Sequence, residues 1–177
     1  SQIIPEIQNG THYLLPLRLN SNEVDLRKGQ RDVLLQLVID YANVEFVMPE
    51  IVDKINVNDV STTAVIKTAL DYKVDGKDMA SSWDFTCDLK VPENAAELLE
   101  VYNKQYSTDY ELLPEGSFNL GQVKYTIGDR EAEVKFSIRR NAIEVKYYLL
   151  PLVLTNPSTS QVTCKDNVYY VVVGQFY

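Results

Sequence analysis

The 177 residues carry 17 Lys and Arg against 25 Asp and Glu, a formal charge of −8, with 45% apolar and 24% charged residues. That acidity works against nucleic acid and anionic membrane as partners, because phosphate affinity comes from Lys and Arg displacing counterions; the densest basic spot is one pair, Arg139 and Arg140. The apolar content suits a folded domain rather than a disordered chain, and no run reaches the roughly 18 apolar residues of a membrane helix.

The first strand signal is Tyr13-Leu14-Leu15-Pro16-Leu17, where the proline calls for a sheet edge or a bulge. His12, the one histidine, precedes it. No nucleophile or orienting partner adjoins it in sequence, and further metal ligands are scarce, so neither catalysis nor metal binding is expected there. A second strand follows at 33–41, "VLLQLVIDY", and residues 47–59 read as a linker. "TTAVIKTALDYKV" (62–74) is a long strand closed by Asp75-Gly76, whose positive φ angles suit a two-residue hairpin turn. The alternative, a calcium loop of Asp71, Asp75 and Asp78, lacks the full ligand ladder and terminal Glu.

"SWDFTCDLKV" (82–91) is the next strand, and Pro92 ends it. A helix is predicted over 94–105, with Asn94 as cap, Glu97 closing a capping box, and Leu98, Leu99, Tyr102 and Tyr106 forming one apolar face that packs on the sheets. In "AEVKFSI" (132–138), Val134, Phe136 and Ile138 alternate with Glu133, Lys135 and Ser137, the period of a strand with one buried face. Glu131 and Glu133 then face water. They could flank a glycosidic bond only in a cleft, and the pattern offers none. "QVKYTI" (122–127) and "NVYYVVVGQF" (167–176) complete the strands, and no phosphate loop or nucleophile elbow occurs. Cys87 and Cys164 are too few for a disulfide scaffold and lack metal spacing; pairing in an exported protein and two buried thiols both stay open. No cofactor is expected.

Tyr13–Leu17 returns as Tyr148–Leu152, and at the same offset Leu19 meets Leu154, Val33 meets Val168, and Leu37-Val38 meets Val172-Val173. A strand, a long turn and a second strand are therefore repeated in register. The expected organisation is 1–46 as the C-terminal half of an incomplete first repeat, 47–59 as linker, and 60–177 as a complete domain. On this reading the chain begins inside its first unit, whose open edges make self-association through strand exchange plausible.

The run "VYNKQYSTDYELLPEGSFNL" (101–120), then "VKYTIGDREAEVKFSI" and "YYLLPLVLTN", resembles a domain of unknown function found in exported lipoproteins of Bacteroidetes. The same domain type forms the N-terminal part of some family-18 endo-β-N-acetylglucosaminidases. The residues that carry the resemblance are Tyr102-Asn103-Lys104, Thr108, Tyr110, Leu112-Leu113-Pro114, Phe118 where the family usually has Tyr, Gly128, and Tyr148 through Leu152. The resemblance implies export, a lipid anchor, a place at the outer-membrane surface or in the periplasm, and SusC- and SusD-like glycan-uptake proteins as partners. It supplies no catalytic or ligand residues. "YELLPEGSF" reads as a corner with Tyr110 and Leu113 beneath a Pro-Glu-Gly turn.

These elements predict an all-β fold, an immunoglobulin-like antiparallel β-sandwich with one short inserted helix. The expected role is that of a non-catalytic module of an exported or cell-surface lipoprotein, binding glycan or positioning a partner. The alternative is an adhesin- or fimbria-like subunit assembled by strand exchange. Aromatic faces can pack on sugar rings while Tyr hydroxyls hydrogen-bond, so Trp83, Tyr125, Tyr169 and Tyr170 are the candidate carbohydrate-binding residues. A core role is open to each, and Trp83 resembles the buried Trp of a sandwich.

Overall fold

A computed structural model describes residues 42–175 in full and, before them, the backbone strands 12–18 and 32–38. In chain order the elements are β1 (His12–Arg18), β2 (Asp32–Val38), β3 (Ala42–Phe46), β4 (Asp53–Asn56), β5 (Ser61–Val74), β6 (Lys77–Asp78) and β7 (Phe85–Lys90). Helix α1 (Ala95–Tyr106) follows, then β8 (Glu111–Leu112), β9 (Phe118–Leu120), β10 (Gln122–Tyr125), β11 (Glu131–Arg139), β12 (Tyr148–Thr155), β13 (Val162–Cys164) and β14 (Tyr169–Gly174). One sheet runs β10-β7-β12-β14-β4, with β8 also beside β12; the other runs β13-β3-β5-β11-β9, with β6 beside β5.

The protein is an all-β sandwich with one short helix. Alternation builds it: Val134, Phe136 and Ile138 point inward from β11 and meet Val123, Tyr125, Leu150, Leu152, Val171 and Val173 of the facing sheet. Each such side chain, taken from water, contributes about 1.5–3 kcal/mol, which is why the alternation fixes the faces. A buried hydroxyl pair crosses this core. The Thr68 hydroxyl donates to the Ala132 carbonyl at 2.9 Å, so its oxygen accepts from the Tyr125 hydroxyl, also at 2.9 Å. Asp75 and Gly76 take φ values of 50° and 74°, closing the hairpin between Val74 and its partner Lys77.

Several features depart from the sequence reading. The sheets are mixed, since β8 pairs with β12, β13 with β3, and β14 with β4 in parallel. A sandwich boundary at residue 60 does not follow the hydrogen bonds, because β3 lies between β13 and β5 and β4 extends the other sheet beside β14. The "linker" strand β4, Asp-Lys-Ile-Asn, has one apolar residue because it is a sheet edge, and polar edges look like loops in sequence. Asn94 makes no capping bond through its side chain; the Pro92 carbonyl accepts from Ala95 N–H at 3.1 Å and the chain enters α1 from that turn.

The proline of the second Tyr-Leu-Leu-Pro-Leu is in a central strand, not at an edge. The Leu149 carbonyl accepts from Leu113 N–H at 3.1 Å, on the β8 side, and alternation turns the Pro151 backbone the same way. There β8 has ended at Leu149's partner and β7 begins only at Val153. Pro151 therefore sits where β12 passes from one neighbour to the other, and its missing N–H leaves no bond unmade.

β1 and β2 pair antiparallel, as β12 and β14 do. Tyr13 is paired with Leu37, whereas Tyr148 is paired with Val173, the counterpart of Val38, so the two registers differ by one residue. The rest of the segment expected to form an incomplete first repeat, and the side chain of His12, lie outside the described residues.

Candidate functional site

Strands β12 and β14 are buried on both faces. Tyr148, Leu150, Leu152, Tyr169, Val171 and Val173 enter the sandwich, while Leu149 and Val172 form a second cluster with Tyr102 of α1, joined by Val52, Leu99, Tyr110 and Tyr170. Of the predicted stripe, Leu99 and Tyr102 pack on this cluster, but Tyr106 at its end is 56% exposed.

One side chain fixes the turn after the helix. Ser107 takes a left-handed conformation at φ 53°, and Thr108 N–H bonds back to the Asn103 carbonyl at 3.0 Å. The Asn103 amide donates to the Tyr110 carbonyl at 2.8 Å, and its side-chain oxygen accepts from the Thr108 hydroxyl at 2.8 Å and Tyr110 N–H at 3.1 Å. Asn103, Thr108 and Tyr110, three of the residues that carry the resemblance, are thus one hydrogen-bonded unit. It turns the chain back so that Tyr110 packs near Tyr102 rather than beneath the Pro-Glu-Gly turn, where Leu113 alone of the expected pair is buried.

The result is a cluster of tyrosines on the outer face of the sandwich. The ring of Tyr102 lies 4.6 Å from that of Tyr106, 5.1 Å from Tyr170 and 6.2 Å from Tyr110. Tyr147 meets Tyr110 edge-on at 6.2 Å and rests on Gly174, where a Cβ would stand 2.5 Å from its Cδ1 atom. A groove of about 500 Å³ opens beside this cluster. One wall is the segment from Met48 to Lys54 that leads into β4, the other is the last turn of α1 with Thr108 and Tyr110, and Tyr170 of β14 is also in the lining. Burial, aided by neighbouring phenols, pushes the Tyr102 hydroxyl up, and burial does the same to Tyr170, so both stay neutral donors and acceptors. The lining carries one carboxylate, Glu50, where hydrolysis of a glycosidic bond generally uses two.

Of the four carbohydrate-binding candidates named from sequence, only Tyr170 lines this groove. Tyr125 is 1% exposed and stacks on Phe85 at 4.8 Å, and burial pushes its hydroxyl up to about 12. Tyr169 is buried beside Phe46 with its hydroxyl on the Asp53 carboxylate. Both point into the sandwich, so neither offers a face to a sugar. Trp83 is half-buried against Tyr72 at 5.1 Å and packs on the core, away from the groove. Sequence reasoning misses Tyr106 because the helix stripe reads as core throughout, and Tyr110 because it reads as packed beneath the Pro-Glu-Gly turn; the spacing of four that links Tyr102, Tyr106 and Tyr110 is the available signal.

The other charged candidates are structural. The Arg139 guanidinium donates to the Gly116 carbonyl, and that of Arg140 to Ile143 at 3.1 Å. Glu131 and Glu133 are exposed on β11. A larger recess, about 690 Å³, lies where β12 changes neighbours, but its walls are mainly aliphatic, among them Val91, Leu113, Leu149 and Pro151. Among the described residues no group of His, Cys, Asp and Glu could hold a metal ion.

A family of N-terminal domains, described as "-like, N-terminal domain", matches residues 39–161, from just before β3 to just before β13. The chain belongs to this family. It is a Bacteroidetes domain of the type the sequence resembles. Comparison with curated proteins gives no match. Among solved structures, a candidate carbohydrate-binding protein from Bacteroides ovatus superimposes with a TM-score of 0.56 at 18% identity, over 76% of this chain and 37% of its own. EndoBT-3987 of Bacteroides thetaiotamicron, solved with a Man5GlcNAc product, gives 0.51 at 21% identity, over 70% of this chain and 28% of its own. A multidomain Bacteroides ovatus protein that includes DUF1735 gives 0.55 at 15% identity, over 75% and 45%. At these identities the likeness is one of fold, and this chain spans less than half the length of each.

Proposed function

We propose that the chain is a non-catalytic glycan-binding module, with the groove beside Tyr102, Tyr106, Tyr110 and Tyr170 as its platform. The observation that carries this reading is the groove itself: aromatic rings from a helix, a loop and a strand meet at the surface, with the loop held in place by Asn103. Tyrosine supplies the flat apolar face and the hydroxyl that sugar recognition needs. The glycan-related relatives support it, and the single lining carboxylate favours binding over hydrolysis. Export, a lipid anchor, an outer-membrane or periplasmic location and SusC- and SusD-like partners belong to the same proposal and rest on the family.

The test is a glycan array with the recombinant chain, followed by calorimetry with the best glycan and with an oligomannose carrying one GlcNAc. Tyr106→Ala and Tyr170→Ala are each expected to weaken binding about threefold to tenfold. Array silence, or full affinity in Tyr106→Ala, would sink the groove as the site. Strand exchange is the second reading, favoured by β1 and β2 forming a two-stranded sheet of their own. It expects concentration-dependent dimers in sedimentation, which deletion of residues 1–38 abolishes.

A further inference from the structure

The two cysteines, far apart in sequence, are brought together across the sandwich. Cys87 lies on β7 in one sheet and Cys164 on β13, the edge strand of the other, and their sulfurs are 3.6 Å apart. A disulfide holds its sulfurs at about 2.05 Å, so bonding requires them to close by about 1.5 Å. The pair is asymmetric in access. Cys87 is 0% exposed, whereas Cys164 is partly exposed and borders a surface recess of about 450 Å³ whose lining includes Lys90 and Lys165. The contact with Cys164, together with burial, pushes the Cys87 thiol up, while the same contact holds Cys164 down.

We propose that Cys87 and Cys164 are a disulfide site that ties the two sheets together, with Cys164 as the entry point for a disulfide oxidant such as oxidised glutathione. Cys164 loses its proton and its thiolate attacks one oxidant sulfur, expelling a glutathione thiolate and leaving a mixed disulfide. Cys87 then loses its proton and attacks the Cys164 Sγ atom, expelling the second glutathione thiolate. Two protein thiols are oxidised by two electrons, one glutathione disulfide is reduced to two thiols, and the two protons end on those thiols. The recess carries Lys90 and Lys165 beside Glu93 and Asp166, so its charge is balanced; what lowers Cys164 is the contact with Cys87, and the recess is the opening through which the oxidant reaches it. The bond would anchor β13, an edge strand of three residues, to β7, an inner strand of the opposite sheet. This inference stands apart from the glycan reading.

The experiment incubates the folded full chain with oxidised glutathione, quenches with acid and measures intact mass and free thiols in denaturant. The expected result is loss of two hydrogens, disappearance of both thiols, a monomer without reductant, one digest peptide pair linking Cys87 to Cys164, and a higher urea midpoint than after reduction. In Cys87→Ser the glutathione adduct is expected to persist on Cys164. If that variant does not fold, Cys164→Ser serves, in which Cys87 is expected to take up glutathione at least tenfold more slowly than Cys164 does. Two thiols that survive oxidation, an adduct that persists on the wild-type chain, a bond between chains, or Cys87 reacting as fast as Cys164 would each overturn the proposal.

Discussion

Asn103 is half-buried and uses both ends of its amide on the turn after α1, donating to Tyr110 and accepting from Thr108 and Tyr110. Asn103→Ala leaves the Tyr110 N–H and carbonyl without those partners, so a loss of about 1–3 kcal/mol is expected in urea unfolding. Because the same bonds hold Tyr110 at the groove, glycan affinity should fall with it, whereas Tyr106→Ala should lower affinity with little change in stability, Tyr106 being 56% exposed. The buried phenols set an alkaline limit. The Tyr125 hydroxyl moves from 10.0 to about 12 through burial, and Tyr102, Tyr169 and Tyr170 move the same way. A folded value above the unfolded one means that the stability these groups contribute is full below pH 10 and is lost as pH rises toward about 12. Denaturation midpoints should therefore be level up to pH 10 and fall beyond it, with tyrosinate absorbance at Tyr125 rising only as the chain unfolds. At this scale the sequence is half legible: an aromatic in a strand announces that it packs, but not whether it packs inward, as Tyr125 does, or outward, as Tyr170 does.

Helix α1 is held by what lies beneath it more than by its own ends, since Asn94 gives no side-chain cap. Leu149 and Val172, fully buried under Tyr102, are that support. Leu149→Ala is expected to cost about 2–5 kcal/mol in urea unfolding and to loosen the helix, seen as lost protection of α1 amides in hydrogen exchange. Long alternating or apolar strands are legible because their burial dictates their pattern; β5, β7, β11, β12 and β14 all fall where the sequence puts them. The helix is legible for the same reason. The short strands β4, β8 and β13 are not, because pairing with a distant neighbour makes them strands and nothing local requires it; β10, also short, is legible through its alternating Val123 and Tyr125. Pro151 reads in sequence as an edge marker; what it marks is the handover between β8 and β7, which no single segment reveals.

For the molecule as a unit, the decisive fact is that the sandwich begins at β3. Ala42, Val44 and Phe46 are buried, and β3 is interior to its sheet. A chain beginning at Ile39, where the family match begins, is expected to unfold cooperatively and give the circular dichroism of a β-sandwich. One beginning at residue 60 is expected to be unfolded or aggregated, since it strips an inner strand from one sheet and an edge from the other. Should the shorter chain fold as well as the longer, β3 and β4 would be ornaments and the division at 60 correct. The bridge between Cys87 and Cys164, where formed, carries a further meaning at this scale, because such bonds persist in oxidising compartments and would fit an exported protein.

The parallel pairs bear on time as well as shape. β3 finds its partner β13 some 120 residues later, as the side-chain contact of Thr163 with Asn43 spans, and β4 pairs with β14 across a similar stretch. Such distant pairings make folding slow, on the scale of milliseconds to seconds, because each must close a long loop before it gains any contact. A chain still emerging from the ribosome holds β3 without β13 and β4 without β14. The sandwich can close only once β13 and β14 have been made, so β3 and β4 must wait for these partners while the intervening residues are synthesised.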